Sequence, residues 1–388
     1  MNSAHSEPFI AIACGGTGGH LFPGLAVAQQ LQARGCAVAL LISPKDVDQQ
    51  AVKSVSGMEI FALPAVGLQG RNYLSFTRSF LKSLYAARNI FHRRTPSAVL
   101  AMGGFTSAPP VFAAKLSGAK TFLHESNTIP GRANRLLARF VNSAFVGFPE
   151  TAARLRAKAV SVTGTPVRPQ FQMHDAAACR VALGLDASRP TILVVGGSQG
   201  AHGLNDLVVS ALPQLKSCDW QWLHLTGAND FENVRSAYAA LDITAVVKPF
   251  LAEMELALGA ATAGVSRAGA SSLAELAALR LPSLLVPLPT AADNHQFFNA
   301  RAFADSGAAK MLQQKTAPDK MAALLSELVT DEVARLKMRM ALAQWHVPDA
   351  AAQIADNILS GLGSEFVVPR KIGEPTGVTG RMNFKVVS

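Results

Sequence analysis

Three clusters of glycine each follow an apolar run and are suited to holding phosphate through the backbone. They are CGGTGGH (14–20), AMGGFTSAP (101–109) and VGGSQGAHG (195–203), here called the first, second and third glycine clusters. Glycine permits positive φ angles and lets backbone amides approach a ligand closely. A helix that starts after such a turn presents free N–H groups and the positive end of its dipole. One cluster alone is as well explained by a tight turn, but three at strand ends favour a phosphate or sugar-diphosphate site.

Neither common nucleotide-binding fingerprint fits these clusters. The dinucleotide pattern G-x-G-x-x-G needs a third glycine and an acidic residue at the end of the second strand. Gly16 and Gly18 supply the first two glycines, but position 21 is leucine and the second strand ends in LISPK. No cluster ends in the Gly-Lys-Ser/Thr of the Walker motif. The clusters therefore indicate another kind of phosphate site.

The segment SRAGASSLAELAALRLPSLLVPLP (266–289) offers a further binding element. Its small polar residues can cap a helix whose first turn carries Glu275, where a carboxylate complements the helix dipole. The functional alternative is that the helix N-terminal amides hold phosphate while Glu275 accepts both hydroxyls of a ribose. The next segment, TAADNHQFFNA (290–300), has polar residues that suit recognition of sugar hydroxyls: Asp293, Asn294, His295, Gln296 and Asn299.

The stretch RNYLSFTRSFLKSLYAARNIFHRRTP (71–96) mixes aromatic and basic residues at helical spacing. Phe76, Phe80 and Leu84 share one face of the predicted helix. Two interpretations remain open at this point. The stretch is either an ordinary helix that packs on its sheet with a basic outer face, or a surface element that dips into an anionic membrane.

No metal site is expected from the sequence. The motif DVD (46–48) matches the D-x-D of some sugar-nucleotide enzymes, but its place after the second strand favours a helix cap. The four cysteines are spaced neither as a metal knuckle nor as a redox pair: Cys14, Cys36, Cys179 and Cys218. They are expected to be buried thiols in a reducing compartment.

These motifs lie at the ends of short apolar runs that alternate with amphipathic ones. FIAIA (9–13) begins a first series, followed by a helix from about Pro23 to Arg34, and TILVVGGSQG (191–200) begins a second. Continuous apolar runs favour parallel strands covered on both faces. The sequence therefore predicts an α/β protein with two Rossmann-like, doubly wound domains that face a cleft. We place these domains at 1–166 and 167–362, followed by a basic tail at 363–388 that is expected to be flexible.

The bulk properties agree with this organisation. The chain has 388 residues, which favours two domains, and 49% hydrophobic against 16% charged residues argues against extensive disorder. A net charge of +10 favours anionic partners. MNSAHSE at the start lacks the basic residues of a signal peptide, and glycines interrupt the first apolar segment before it reaches a membrane-spanning length. We therefore expect a cytoplasmic protein.

Seven motifs together resemble the MurG family of lipid-linked peptidoglycan N-acetylglucosaminyltransferases. They are GGTGGHLFPGLAVA, GGFTSAP, HESN, GTPVR, GGSQGAHGLN, SRAGASSLAE and DNHQFFNA, in order between Phe9 and Leu362. The resemblance implies the GT-B glycosyltransferase fold and an inverting, metal-independent transfer without a cofactor. The implied donor is UDP-GlcNAc, and the implied acceptor is the 4-hydroxyl of the muramoyl sugar in undecaprenyl-diphosphate-linked muramoyl-pentapeptide. No nucleic acid partner is implied.

The resemblance also implies a set of site residues. The glycines Gly16, Gly103 and Gly104 would grip the diphosphate of the acceptor. This chain departs from the family pattern at Ser271 and Ser272, where other members of the family carry Leu-Thr or Thr. The implied contacts to UDP-GlcNAc are Thr17, Gly18, Gly19, Asn127, Arg168, Ser198, Leu251, Ala270, Ser271, Ser272, Leu273, Ala274, Glu275 and Gln296.

A base must take the proton of the acceptor hydroxyl, and two residues compete for that role. His20 directly follows the first glycine cluster, where a helix N-terminus would keep its imidazole neutral. Glu125 in HESN is the alternative. A lipid acceptor also favours the membrane interpretation of the 71–94 patch, which Lys115, Lys120, Arg132 and Arg135 would extend. Peripheral attachment to the cytoplasmic side of the inner membrane is therefore expected.

Two other functions stay open on the sequence alone. One is a related transferase that acts on another lipid or on a natural-product acceptor. The other is a sugar-nucleotide binding protein without turnover. The HESN and GGFTSAP segments, which belong to the acceptor half of the resemblance, argue against the first, and the presence of His20, Arg168, Glu275 and Gln296 argues against the second.

Overall fold

The computed structural model describes residues 7–16, 18–44, 57–64, 73–197 and 200–363. Within them the chain forms two parallel β-sheets with helices around each. We call the part built on the first sheet the first unit and the part built on the second sheet the second unit. Elements are numbered in chain order through the described residues. The predicted α/β architecture with two doubly wound sheets is confirmed.

The first unit contains seven strands and five helices among the described residues. Its strands are β1 (Phe9–Ala13), β2 (Ala37–Ile42), β3 (Glu59–Ala62), β4 (Ala98–Ala101), β5 (Lys120–Glu125), β6 (Ser143–Val146) and β7 (Val160–Val162). Its helices are α1 (Gly18–Gln32), α2 (Tyr73–Arg93), α3 (Ala108–Leu116), α4 (Arg132–Leu137) and α5 (Pro149–Ala152). The strands lie in the order β3-β2-β1-β4-β5-β6-β7.

The second unit follows the same plan, with six strands in the residues that the structure describes. They are β8 (Thr191–Val195), β9 (Gln221–Leu225), β10 (Ala245–Lys248), β11 (Ala263–Ser266), β12 (Ser283–Leu285) and β13 (Lys310–Met311). After the first unit, the helices in the described part of the chain are α6 (Ala176–Ala182), α7 (His202–Leu215), α8 (Phe231–Ala240), α9 (Met254–Ala260), α10 (Ala270–Ala278), α11 (His295–Asp305), α12 (Pro318–Thr330), α13 (Glu332–Trp345) and α14 (Ala350–Leu362). The strand order is β10-β9-β8-β11-β12-β13.

The strand order reverses once in each sheet, and the glycine clusters lie at those reversals. β1 has β2 on one side and β4 on the other, and β8 likewise separates β9 from β11. In open parallel sheets a ligand binds beyond the carboxyl ends of the strands at such a switch point. The first and second glycine clusters follow β1 and β4, and the third follows β8. The general rule therefore predicts one ligand position in each unit.

The continuous apolar sequence of β1 is explained by burial on both faces of the sheet. Ile10 and Ile12 contribute to one apolar core, whereas Ala11 and Ala13 contribute to another on the opposite face. Residues alternate between the faces of a strand, so a strand that is covered on both sides has no place for a polar side chain. Burial on both faces also explains why the run FIAIA contains no charged residue.

The first helix starts earlier than its sequence pattern predicts. The pattern predicts a start near Pro23, but α1 begins at Gly18 and contains Pro23. Proline has no N–H, so Pro23 cannot donate to the carbonyl of Gly19 four residues before it. That carbonyl is thereby left available to a donor from outside the helix.

The last helix among the described residues, α14, returns to the first unit. Ile354 and Ile358 of α14 lie in the same apolar core as Phe122 and Phe145 of the first sheet, and Arg34 forms an ion pair with Asp356 at 2.7 Å. The boundaries 1–166 and 167–362 stay a prediction, but by its packing α14 belongs with the first unit. The predicted tail at 363–388 lies outside the described residues, apart from Gly363.

Candidate functional site

Hydrogen bonds join the first and second glycine clusters at the switch point of the first sheet. The Thr106 hydroxyl donates to the Gly15 carbonyl at 2.7 Å, and the Ser107 hydroxyl donates to the Ala13 carbonyl at 3.0 Å. A side chain at Gly15 has no room, because its Cβ would lie 2.3 Å from the Ser43 nitrogen. The described parts of the two loops are therefore held together by hydrogen bonds at this end of the sheet.

His20 lies directly over the second glycine cluster. A Cβ at Gly103 would be 3.0 Å from His20 Nε2, and one at Gly104 would be 3.3 Å from His20 Cε1. Both glycines have positive φ angles, 117° and 77°, which residues with side chains rarely adopt. Because these two positions carry no side chains, the imidazole ring of His20 has room at the switch point.

Glu125 is held by four hydrogen bonds at the end of β5. Its Oε1 accepts from the backbone N–H and the Nδ2 of Asn127 at 2.8 and 3.0 Å. Its Oε2 accepts from the Gly131 N–H at 2.9 Å and from Asn134 Nδ2 at 2.8 Å. The side chain is buried. This arrangement fixes the loop 126–131 and favours a structural task for Glu125 over proton transfer.

In the second unit, α10 starts at the carboxyl end of β11 and faces the first glycine cluster. Its N-cap is Gly269, which has no side chain to cap the first amides. The Ser271 hydroxyl instead donates to the Gly19 carbonyl at 2.9 Å, the carbonyl that Pro23 leaves available. The start of α10 is thereby brought against the first glycine cluster.

Glu275 lies in the second turn of α10, so its predicted place in the first turn is wrong. Burial is the main cause that raises the pKa of Glu275 to about 7, the positive charge of Arg168 opposes this rise, and Glu255 adds to it. The Arg168 guanidinium stacks 4.2 Å above the Phe22 ring and 4.9 Å from the Phe171 ring. Its buried Nε has no hydrogen-bond partner within the described part of the chain. The group is thus positioned in the cleft with unused hydrogen-bonding capacity.

The raised pKa predicts a pH-dependent stability that Glu275→Gln should remove. The folded chain binds the Glu275 proton more tightly than the unfolded chain, whose value is near 4.5. The free energy of unfolding therefore receives a contribution that is present below about pH 4.5 and is lost as the pH rises through about 7. Urea unfolding of parent and variant at about pH 5 and pH 8 measures it.

The expected result is that the parent loses stability relative to Glu275→Gln between the two pH values. Glu232→Gln, which removes an exposed carboxylate of α8, is the matched control and should show no such change. A stability difference between parent and Glu275→Gln that does not vary with pH would contradict the burial of this carboxyl.

Several polar side chains before and within α11 make contacts with other parts of the protein. Asp293 pairs with Arg132 at 3.0 Å and with Arg135 at 2.7 Å, both from α4 of the first unit. Asn299 is fully buried. Gln296 Oε1 accepts from the Leu288 N–H at 3.0 Å, which leaves the amide hydrogens on its Nε2 for a ligand. Asp293 and Asn299 are thus bonded to the first unit.

The structure brings most of the sequence-predicted site residues to the cleft from both sides. Ser271 is bonded to Gly19 there, Arg168 stacks on Phe22 of α1, and Leu251 is buried in the core of the second unit. Gly16, Gly18, Ala270, Ser272, Leu273 and Ala274 lie in the first glycine cluster or in α10. Thr17 and Ser198, as well as the DVD motif, lie outside the described residues.

Sequence reasoning missed the contacts that cross between the units. Neither the Asp293 ion pairs nor the bond from Ser271 to Gly19 leaves a local pattern, because the partners are far apart in the chain. In the residues that the structure describes, no three His, Cys, Asp or Glu side chains gather as a metal ion would need. No helix there combines the length and apolarity needed to cross a bilayer.

Comparison with known proteins matches both units to one family. The glycosyltransferase family 28 N-terminal domain matches residues 10–146, and the glycosyltransferase family 28 C-terminal domain matches residues 191–354. These two matches cover most of the chain and correspond to the two sheets.

Two curated relatives and one solved structure extend this match. Proteins of Anaeromyxobacter sp. (strain Fw109-5) and Nitrobacter hamburgensis are named UDP-N-acetylglucosamine–N-acetylmuramyl-(pentapeptide) pyrophosphoryl-undecaprenol N-acetylglucosamine transferase. The first is 36% identical over 94% of this chain and 95% of its own length, and the second is 37% identical over 91% and 97%. The crystal structure of Acinetobacter baumannii MurG has a TM-score of 0.72 at 30% identity and covers 91% of this chain and 99% of its own. The chain belongs to glycosyltransferase family 28 and, within it, to the MurG family.

Proposed function

We propose that the chain transfers GlcNAc from UDP-GlcNAc to the 4-hydroxyl of the muramoyl sugar in undecaprenyl-diphosphate-linked muramoyl-pentapeptide. One observation carries the proposal: the start of α10 meets the first glycine cluster through the bond from Ser271 to Gly19. Two phosphate-binding elements from different units thereby face one cleft, which suits a nucleotide donor and a diphosphate-linked acceptor.

The donor is assigned to the second unit. The free amides at the start of α10 are positioned to hold the diphosphate, and Glu275 is close enough to Arg168 for their charges to interact. We assign the ribose hydroxyls to Glu275, the uracil to the backbone near Leu251 and the GlcNAc hydroxyls to the available amide of Gln296. Thr17, Gly18, Gly19, Asn127 and Ser198 complete the proposed donor contacts.

Negative charge develops on the leaving UDP as the glycosidic bond breaks. Fixed dipoles and cations aimed at that charge stabilise the transition state. Arg168 supplies the cation, and stacking on Phe22 and Phe171 keeps its planar group oriented. The N-terminal end of α10 supplies the dipole. Inversion follows when the acceptor oxygen attacks from the face opposite to UDP.

We assign the general base to His20 and a positioning role to Glu125. The His20 ring lies over Gly103 and Gly104, the glycines to which we assign the acceptor diphosphate together with Gly16. Its location in the first turn of α1 favours a neutral imidazole, which can accept a proton. Glu125 accepts four N–H groups, so both of its oxygens are already engaged.

A turnover assay tests the proposed function. The purified chain is incubated with labelled UDP-GlcNAc and, in parallel, with lipid-linked muramoyl-pentapeptide or a diacylglycerol. Transfer to the muramoyl acceptor is the expected result. Transfer only to the diacylglycerol would support a related transferase, and donor binding by calorimetry without turnover would support a binding protein; either result overturns the proposal.

We further propose that the first unit attaches peripherally to the cytoplasmic side of an anionic membrane. The outer face of α2 carries the exposed apolar residues Leu74, Leu81 and Tyr85, which share that face with Arg78 and Lys82. Such a combination of apolar and basic side chains favours anionic lipid.

The aromatic part of the predicted patch differs from the sequence-based expectation. Phe76 contacts Phe105 and Phe80 contacts Phe112, so both rings pack toward the body of the first unit. Arg132 and Arg135, expected to extend the patch, are exposed and also pair with Asp293. Residues 71 and 72 of the predicted patch lie outside the described residues.

Introducing charge at Leu81 and Tyr85 is expected to weaken membrane binding. The double variant Leu81→Glu/Tyr85→Glu removes apolar area and adds repulsion from anionic headgroups. Sedimentation with vesicles that contain anionic phospholipid measures the bound fraction. The matched control is Val333→Glu/Leu336→Glu, which changes an equally exposed apolar pair on α13 of the second unit. Equal loss in both variants, or no loss in the first, would argue against a membrane face on α2.

A further inference from the structure

We propose that Asn299 is a positioning residue for glycosyl transfer, which aligns the acceptor-side loop 126–131 with the start of the donor-side helix α10. This inference rests on the proposed function. Asn299 lies in α11 of the second unit, but most of its side-chain hydrogen bonds reach the first unit. The juxtaposition joins residues 171 positions apart in the chain.

The Asn299 amide is completely used at this interface. Its Oδ1 accepts from the Thr128 N–H at 3.0 Å and from the Thr128 hydroxyl at 2.9 Å. Its Nδ2 donates to Asn127 Oδ1 at 3.0 Å and to the Ala268 carbonyl at 3.1 Å. An asparagine amide has two donor hydrogens and an oxygen with two lone pairs, so no hydrogen-bonding capacity remains for a ligand.

The side chain is also fully shielded from solvent, with 0% relative exposure. A buried polar group whose partner is removed suffers the full cost of desolvation. Loss of the Asn299 amide therefore leaves four polar groups without this partner, three in the loop and one at Ala268. A movement that breaks these buried bonds would carry this desolvation cost. The bonds therefore hold the loop in place relative to the second unit.

The bonded groups connect the two sides of the proposed reaction. Ala268 lies two residues before Ala270, the first residue of α10, whose amides are assigned to the donor diphosphate. Asn127 Nδ2 donates to Glu125 on the opposite side of the loop. The amide of Asn127 is therefore fixed between Glu125 in the first unit and Asn299 in the second, and a shift of either unit moves it.

A second contact along α11 reinforces the same alignment. Asp293 and Asn294, which precede α11, both have left-handed backbone conformations with φ of 50° and 55°. Asp293 binds Arg132 and Arg135 at the far end of the loop. Exposed ion pairs contribute little to stability, so we assign the main positioning role to the buried Asn299 and a supporting one to Asp293.

Asn299→Ala is expected to lower kcat by about tenfold or more, because reacting groups that are slightly misaligned lose much of the benefit of proximity. The KM for UDP-GlcNAc should rise by a smaller factor than kcat falls, since Asn299 itself does not reach the donor and acts on it only through Asn127, one of several proposed donor contacts. Asn299→Asp keeps the volume but places a carboxylate opposite two carbonyl-type oxygens. This variant should lower kcat at least as much as Asn299→Ala does. Because the side-chain volume is kept, such a loss would come from the missing hydrogen-bond donors and not from a cavity.

The matched control is Gln221→Ala at the amino-terminal end of β9. Gln221 is also fully buried, and its amide is bonded to Asp186, Arg189 and Thr191 within the second unit. Its loss should lower the Tm as much as the loss of Asn299 but leave kcat unchanged at a temperature well below the transition. If Asn299→Ala does not fold, Thr128→Val removes only one bond to Asn299 and should show the same kcat effect in smaller measure.

A double-mutant cycle completes the test. Asn127→Ala and Asn299→Ala should be less than additive in their effects on kcat, because the two amides act through a shared hydrogen bond. A parent-like kcat for both Asn299→Ala and Thr128→Val, or a kcat loss matched by Gln221→Ala, would overturn the inference. No transfer by the parent chain overturns the proposed function itself, whereas transfer that survives loss of Asn299 overturns only the positioning role.

Discussion

Replacing His20 by alanine is expected to lower kcat by about 10²–10⁴-fold, the usual loss on removal of a general base. The affinity for UDP-GlcNAc should change little, because His20 lies over Gly103 and Gly104 on the acceptor side of the cleft. Steady-state kinetics with lipid-linked muramoyl-pentapeptide gives kcat, and calorimetry gives the donor Kd.

Two further variants separate His20 from the alternative base. His174→Ala is the matched control, because His174 is a histidine of the segment before the second sheet that bonds only the Gln170 carbonyl among the described contacts. Glu125→Gln should lower both Tm and kcat, since the amide nitrogen that replaces one carboxylate oxygen cannot accept the two N–H groups that this oxygen receives, and the loop 126–131 loses two of its four bonds to Glu125. A kcat close to the parent in His20→Ala, with a strong loss and unchanged Tm in Glu125→Gln, would transfer the role of base to Glu125.

Replacing Glu275 by alanine is expected to weaken UDP-GlcNAc binding by about 1.5–3 kcal/mol, which is roughly 10- to 150-fold in Kd. The reason is the loss of a charged acceptor for the ribose hydroxyls. Calorimetry at about pH 8 is the appropriate measurement, because burial raises the pKa of Glu275 to about 7 and the carboxylate predominates above that value.

The specificity of this effect can be tested within the same nucleotide series. Glu232→Ala removes an exposed carboxylate from α8 and should leave the donor Kd unchanged. UDP itself should lose affinity for Glu275→Ala by the same factor as UDP-GlcNAc, since the ribose is common to both. An unchanged Kd for both ligands would refute the assignment of the ribose to Glu275.

The parts of the fold that depend on local patterns are predictable from the sequence. The glycine clusters mark strand ends, and parallel strands that are buried on both faces must be continuously apolar, as Ile10 to Ala13 are. Because a doubly wound sheet has one switch point, locating those ends also locates the cleft. The seven motifs then identify the family that the comparisons show.

The parts that depend on long-range packing are not predictable from periodicity. Asn299 carries the same sequence signal whether it faces a sugar or another protein segment, and its partner Thr128 is 171 residues away. Ile354 of α14 has the apolar spacing of any helix, so nothing local shows that it packs on the first unit. Small polar residues alone cannot fix where a helix starts, so the sequence pattern places Glu275 one turn too early.

A crystal structure of the chain with bound UDP-GlcNAc tests most directly that the donor lies between α10 and the first glycine cluster. The expected complex has the diphosphate on the first amides of α10, the ribose hydroxyls on Glu275 and the GlcNAc near Gln296, with Asn299 still bonded to Thr128. A donor bound away from α10, with Glu275 uncontacted, would contradict the proposed site.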